Sequence, residues 1–213
     1  SSDLAVVFGV AATPTVILVD KSKNQLHVAE YINGDYSILK TYSATVGKVK
    51  GDKTDEGDLK TPEGIYHFSA LLRPPSLKPE FGVMAFYVNY PNPYDQIAGR
   101  TGFDIMLHAT NEPARLKLSF DSKGCIVVKN EDLQEIQPKI KLNLTPILIF
   151  PEFTSEFKRP ASDAKLKAFF ERWTKSWETK DIEPYIATYH SLFSAQGKDR
   201  DAWKAYKSSL NKR

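Results

Sequence analysis

The apolar residues of this 213-residue chain change their period near residue 160. Before that point they alternate with polar residues in short runs, the two-residue period of strands. After it they recur at three- and four-residue steps, the period of helices. Strands are expected at 15–19, 25–31, 36–46, 64–72, 84–90, 102–107, 126–128 and 147–150, with Lys21, Ser22, Lys23 and Asn24 as the first hairpin connection. The short connections predict an antiparallel sheet. One capped helix, 130–136, follows the seventh strand. In the tail, Leu166, Phe169, Phe170, Trp173 and Trp177 mark a first helix with Ser162 as its N-cap. A second is expected at 182–193, with Pro184 in its first turn, and a third at 200–210. The expectation is a mainly β fold with α (α+β), divided at the stretch from Pro151 to Pro160 into residues 1–160 and a helical segment, 161–213. At 41% hydrophobic content the chain can bury one core of about 150 residues plus a small appendage. The aromatic stripe of the tail reads as packing.

Within the β region, Cys125 is the single cysteine of the chain, in the string Ser122-Lys123-Gly124-Cys125-Ile126-Val127-Val128. A lone cysteine is usually a small buried hydrophobe. Its context here is chemical. Gly124 lets the backbone turn sharply, so that amides around Gly124 and Cys125 can face a developing oxyanion. Upstream, the apolar run 102–107 ends at His108, which places an imidazole at a strand end, where it can act as a general base and lower the thiol pKa. Papain-like enzymes, caspases and sortases order or space their Cys and His differently, so none of them fits.

With Lys60-Thr61-Pro62-Glu63-Gly64 upstream, the order His108 then Cys125 and the string Ser-x-Gly-Cys resemble the L,D-transpeptidase catalytic domain, also called YkuD, over roughly residues 13–151. The resemblance implies a β-sandwich or barrel, with Cys125 as nucleophile, His108 as base, and Gly124 in the oxyanion turn. It implies that Ala109, Thr110, Ser122 and Lys123 border the substrate, that peptidoglycan stem peptides are the partner, and that the protein works in the periplasm. The chain departs from the pattern at Ala109, where a glycine is usual, at Lys123 in place of a histidine, and at Val127 in place of an arginine. The missing arginine leaves Arg100, Arg115 and Lys123 as candidate carboxylate anchors. These variant strings look like a branch of L,D-carboxypeptidases that trim peptidoglycan to maintain helical cell shape and carry a C-terminal NTF2-like domain. The tail string resembles the opening helices of that domain. No strand pattern follows Leu210, so either the chain stops short of the NTF2-like sheet or the helices pack back on the catalytic part. Crosslink formation by the same residues, and a non-catalytic peptidoglycan-binding module, remain open alternatives.

Other patterns carry no chemistry. The string from Gly47 to Thr54 has the wrong order for a phosphate loop. Asp52, Asp55, Glu56 and Asp58 lack the alternation of a calcium loop. His27, His67 and His190 are scattered, so no metal and no cofactor is expected. The net charge of +3 comes from the tail and forms no nucleic-acid stripe. The nine apolar residues 4–12 are too short to span a bilayer and read as buried structure, while a start at Ser1-Ser2 suggests that a natural leader has been removed.

Overall fold

A computed structural model of the chain describes residues 15–32, 35–118, 120–154 and 163–211. The expected apolar segment 4–12 and the Ser162 cap lie outside the described residues. The chain divides into two compact units, Ser1–Phe153 and Thr154–Arg213.

Unit one is built on strands β1 (Thr15–Asp20), β2 (Gln25–Ile32), β3 (Asp35–Ser43), β5 (Gly64–Leu72), β6 (Ala85–Val88), β7 (Met106–His108), β9 (Ile126–Val127) and β10 (Pro146–Phe150). They form one curled eight-stranded sheet in the order β3-β2-β1-β10-β5-β6-β7-β9. A small separate pair joins β4 (Val46–Gly47) to β8 (Phe120–Ser122). Most neighbours are antiparallel, as expected, but β1 runs parallel to β10 and β7 parallel to β9. Central β1 reads as a continuous apolar run because it is covered on both faces. Ile17 and Val19 enter the main core, while Val16 and Leu18 meet Ala29 and Phe153 on the other side.

Helix α1 (Pro93–Ile97) is closed by a capping box between Asn92 and Asp95. Helix α2 (Asn130–Ile136) forms where the sequence predicts it and buries Leu133 and Ile136, but no side chain caps its N-terminus. Asn130 is used elsewhere, accepting from the Val83 N–H at 3.0 Å.

In unit two, α3 (Asp163–Glu178) and α5 (Arg200–Asn211) form as expected, and α4 (Ile182–Ala187) is shorter than the expected 182–193. The Thr188 hydroxyl donates to the Tyr185 carbonyl at 2.6 Å, competing with the next helical turn. A two-residue hairpin then intervenes, β11 (Ser194–Ala195) with β12 (Lys198–Asp199), turned by Gln196 and Gly197 at φ 52° and 70°. Trp173 and Trp177 pack on the Tyr185 ring, with centroids 6.2 and 5.2 Å apart.

Candidate active site

Strands β7 and β9 are parallel neighbours, with Leu107 opposite Ile126 and His108 opposite Val127. Because side chains alternate across a sheet, this register sorts the residues by face. Leu107, Ile126 and Val128 enter the main core. Met106, His108 and Cys125 take the other face, where Cys125 packs with Leu77, Ala85, Met106, Phe81 and Tyr87. Cys125 and His108 thus come from adjacent strands onto one surface.

His108 is 2% exposed. Its Nδ1 lies 2.5 Å from the Ala109 carbonyl oxygen. A carbonyl only accepts, so Nδ1 carries the proton and Nε2 keeps the lone pair a base needs. The Phe81 ring meets the imidazole edge-on, with centroids 4.8 Å apart at 79°. Burial pushes the imidazole pKa down to about 4, with the Ala109 carbonyl opposing and the Arg115 charge adding to the fall.

Cys125 is half-buried, and its Sγ contacts the Asp104 carbonyl at 3.5 Å. Burial pushes the thiol up to about 11. The Asp104 carboxylate adds to this, while a backbone hydrogen bond at Met106 and the charges of Arg115 and Lys53 pull the other way. The sequence argument expected a thiol held low by its histidine. The structure corrects this, because desolvation of both groups favours their neutral forms, so the resting pair is a thiol and a neutral imidazole.

Gly124 turns the chain into β9 at φ +128°, where an added Cβ would lie 2.8 Å from the Lys60 carbonyl oxygen and 3.0 Å from Ile105 Cδ1. The Thr61 hydroxyl holds the turn, donating to the Gly124 carbonyl at 2.9 Å and accepting from the Gly47 N–H at 2.9 Å. Lys21, 4% exposed, anchors the same segment through the Thr61 carbonyl at 2.7 Å and the Glu63 carboxylate at 2.8 Å. The Ser122 hydroxyl donates to the Cys125 carbonyl at 2.6 Å and accepts from the Gly124 N–H at 3.1 Å. The Gly124 amide, expected to serve as an oxyanion donor, is therefore engaged by Ser122 in this structure. The Cys125 N–H has no hydrogen-bond acceptor among the described residues.

The remaining expected site residues divide. Ala109 sits in the main core and contributes its carbonyl. Thr110 is buried, with its hydroxyl accepting from the Glu112 N–H, and it borders a shallow depression with Asn111, Pro113, Lys129, Asn130 and Glu131. Ser122 is internal to the turn. Lys123 is exposed and forms no ion pair with a described residue. Arg100 is held between Asp52 and Asp95 at 2.6 and 2.9 Å. Arg115 pairs with Asp121 at 2.7 Å and is the arginine whose charge acts on both His108 and Cys125. Sequence reasoning missed Lys21, Phe81, Tyr87 and Asn130, none of which lies in the motif strings. Thr61 was quoted in its motif without a role. No cluster of potential metal ligands occurs among the described residues, and none of their helices is long and apolar enough to cross a membrane.

Residues 14–149 match the L,D-transpeptidase catalytic domain (YkuD), and residues 165–213 match the Cds6 C-terminal NTF2-like domain. Among solved structures, Bd1075 of Bdellovibrio bacteriovorus shares 35% identity at a TM-score of 0.73, covering 95% of this chain and 72% of its own. The helical cell shape determining protein Pgp2 of Campylobacter jejuni shares 25% identity at a TM-score of 0.71, covering 95% and 71%. YafK of Escherichia coli K12, whose name assigns it provisionally to the L,D-transpeptidases, is 25% identical over 147 residues, 63% of this chain and 54% of that protein. The chain thus spans about half the length of the curated relatives it matches.

Proposed function

The chain belongs to the L,D-transpeptidase catalytic-domain (YkuD) family, and from that premise we propose that it is a cysteine-dependent L,D-carboxypeptidase removing the terminal D-alanine from peptidoglycan stem tetrapeptides in the periplasm. The observation that carries this reading is a buried imidazole, locked with Nε2 as its lone-pair nitrogen, on the same sheet face as Cys125 and one strand away. The choice of trimming over crosslinking is supported by the likeness, over 95% of this chain, to a helical cell shape determining protein.

Because both groups rest neutral, the proton moves as the attack occurs. Sγ bonds to the carbonyl carbon of the diaminopimelate residue while His108 Nε2 takes the thiol proton. The Cys125 N–H is the amide left to stabilise the oxyanion. The carbon–nitrogen bond to D-alanine then breaks, and the leaving amine takes the proton from the imidazolium. Water, deprotonated by His108, hydrolyses the thioester to give the tripeptide. Lys123 and Arg115 are the cations proposed to meet substrate carboxylates, Arg115 only by sharing its charge with Asp121. The second reading is crosslink formation, favoured by the curated name of YafK. In it a second stem amine replaces that water.

Incubation of the protein and its Cys125→Ala variant with purified disaccharide tetrapeptide, followed by mass-detected chromatography, tests the proposal. Cys125-dependent loss of one alanine is the expected result. Dimers establish the crosslinking reaction instead, and no Cys125-dependent product overturns both.

A further inference from the structure

A surface turn reaches over His108 from outside the motif strings. It begins as a 3-10 turn, Pro79–Phe81, continues through Gly82 and Val83, and enters β6. Gly82 has φ +69°, and a Cβ there would meet Asn130 Oδ1 and lie 2.7 Å from both Ala109 Cβ and the Thr110 nitrogen. The turn therefore lies directly on the residues that follow His108, and only glycine allows the approach.

Both ends of this strap are tied by side-chain amides. Asn111 Nδ2 donates to the Pro79 carbonyl at 2.7 Å, and Asn130 Oδ1 accepts from the Val83 N–H at 3.0 Å. Asn130 Nδ2 donates to Asn111 Oδ1 at 2.9 Å, which closes the clamp. Each amide orientation is forced, because the Pro79 carbonyl can only accept and the Val83 N–H can only donate. Asn111 follows β7 and Asn130 opens the helix after β9, so the clamp is anchored on the two strands that carry His108 and Cys125. What it holds in place is the Phe81 ring, edge-on to the imidazole.

We propose that the 79–83 strap is the positioning element of His108: Phe81 fixes the ring rotation and excludes water from it, and the Asn111–Asn130 pair fixes Phe81. This rests on the reading of His108 as the base. Phe81 acts through the imidazole, and the two asparagines act through Phe81. Among charged or titratable groups around His108, Arg115 acts from the 113–117 turn, Cys125 stands at the start of β9, and the strap's own Glu80 is exposed.

The test combines an NMR titration of the His108 imidazole with steady-state turnover, on the full chain and the variants Phe81→Ala, Phe81→Tyr and Asn111→Asp. With Phe81→Ala the titration midpoint is expected to rise by about one pH unit or more as water reaches the ring. Its kcat is expected to fall about ten- to a hundredfold, the cost of a misplaced catalytic group, with KM nearly unchanged. Phe81→Tyr, which keeps the ring, restores both. Asn111→Asp is isosteric but loses the donor to Pro79; its new carboxylate raises the midpoint by charge alone, so kcat is the deciding readout for this variant, and it is expected to fall even where Phe81→Ala fails to fold. A midpoint or a kcat that stays at the wild-type value in folded Phe81→Ala, or a kcat that does so in Asn111→Asp, overturns the proposal. Absence of turnover in the wild-type protein would instead sink the proposed reaction, and the titration alone then decides the role of the strap.

Discussion

The hydroxyl of Thr61 donates to the carbonyl of Gly124, so the Thr-Pro-x-Gly turn and the turn before Cys125 are joined by one side chain, which also accepts from the Gly47 amide. Thr61 is fully buried. Thr61→Val keeps the shape and leaves a donor and an acceptor unmet, which costs about 1–3 kcal/mol. Urea unfolding should report that loss, and turnover should fall as the turn loosens. Thr61→Ser should recover most of both.

Gly124→Ala places a Cβ 2.8 Å from the Lys60 carbonyl oxygen at a backbone angle that side chains avoid. The strain is on the order of 1–3 kcal/mol. A lower midpoint of thermal unfolding together with loss of Cys125 alkylation geometry, read as an altered labelling rate in the still-folded fraction, is the expected pair of results.

The Cys125 thiol rests near a pKa of about 11, raised first by burial and then by the Asp104 carboxylate. Iodoacetamide labelling of the resting protein should therefore be slow at pH 7 and still be rising above pH 9. Asp104→Asn removes the charge, and asparagine tolerates the φ of 56° found at this position. It should move the labelling profile to lower pH. A profile that is flat above pH 7 in the wild type would contradict the neutral resting pair.

His108 titrates at about 4 in the folded protein and near 6.5 when unfolded. Between those values the unfolded chain binds a proton that the folded chain excludes. Its contribution is complete above about 6.5 and is lost as pH falls toward 4, on the order of 3 kcal/mol in all. Urea unfolding across that window should show wild-type stability falling with acidity, and His108→Gln should flatten the slope. His27, also lowered by burial, leaves a residual slope in both proteins.

The two-residue period located most of the main-sheet strands, though the expected 102–107 strand is only Met106–His108, and the tail periodicity located the helices, because each records which side of an element meets the core. What it could not record is direction. The parallel pairing of β7 with β9 depends on how the long 109–125 connection returns, and no local pattern in those residues encodes it. That Cys125 and His108 come together was legible because a lone cysteine after glycine and a histidine ending an apolar run have few structural reasons to share a motif. The direction of the thiol shift was not, since it depends on the packing of Leu77, Ala85 and Met106 around the sulfur, contributed by distant segments. Phe81 and Asn130 stayed hidden for the same reason. Each looks ordinary in its own segment and acquires its role only where segments cross. The end of the second tail helix was missed because a threonine hydroxyl, weak as a sequence signal, takes a carbonyl that the next turn requires.

The first strand of the catalytic unit lies beside its last, Ile17 against Ile147 in the middle of the sheet. A ribosome emits His108 and Cys125 before it emits the strand that completes that sheet. The thiol and imidazole therefore exist for a time as unassembled side chains on an incomplete scaffold, which closes only when β10 docks between β1 and β5. Synthesis order thus sets the order of assembly: a growing chain has no completed sheet beneath Cys125 and His108 until the whole unit has been made.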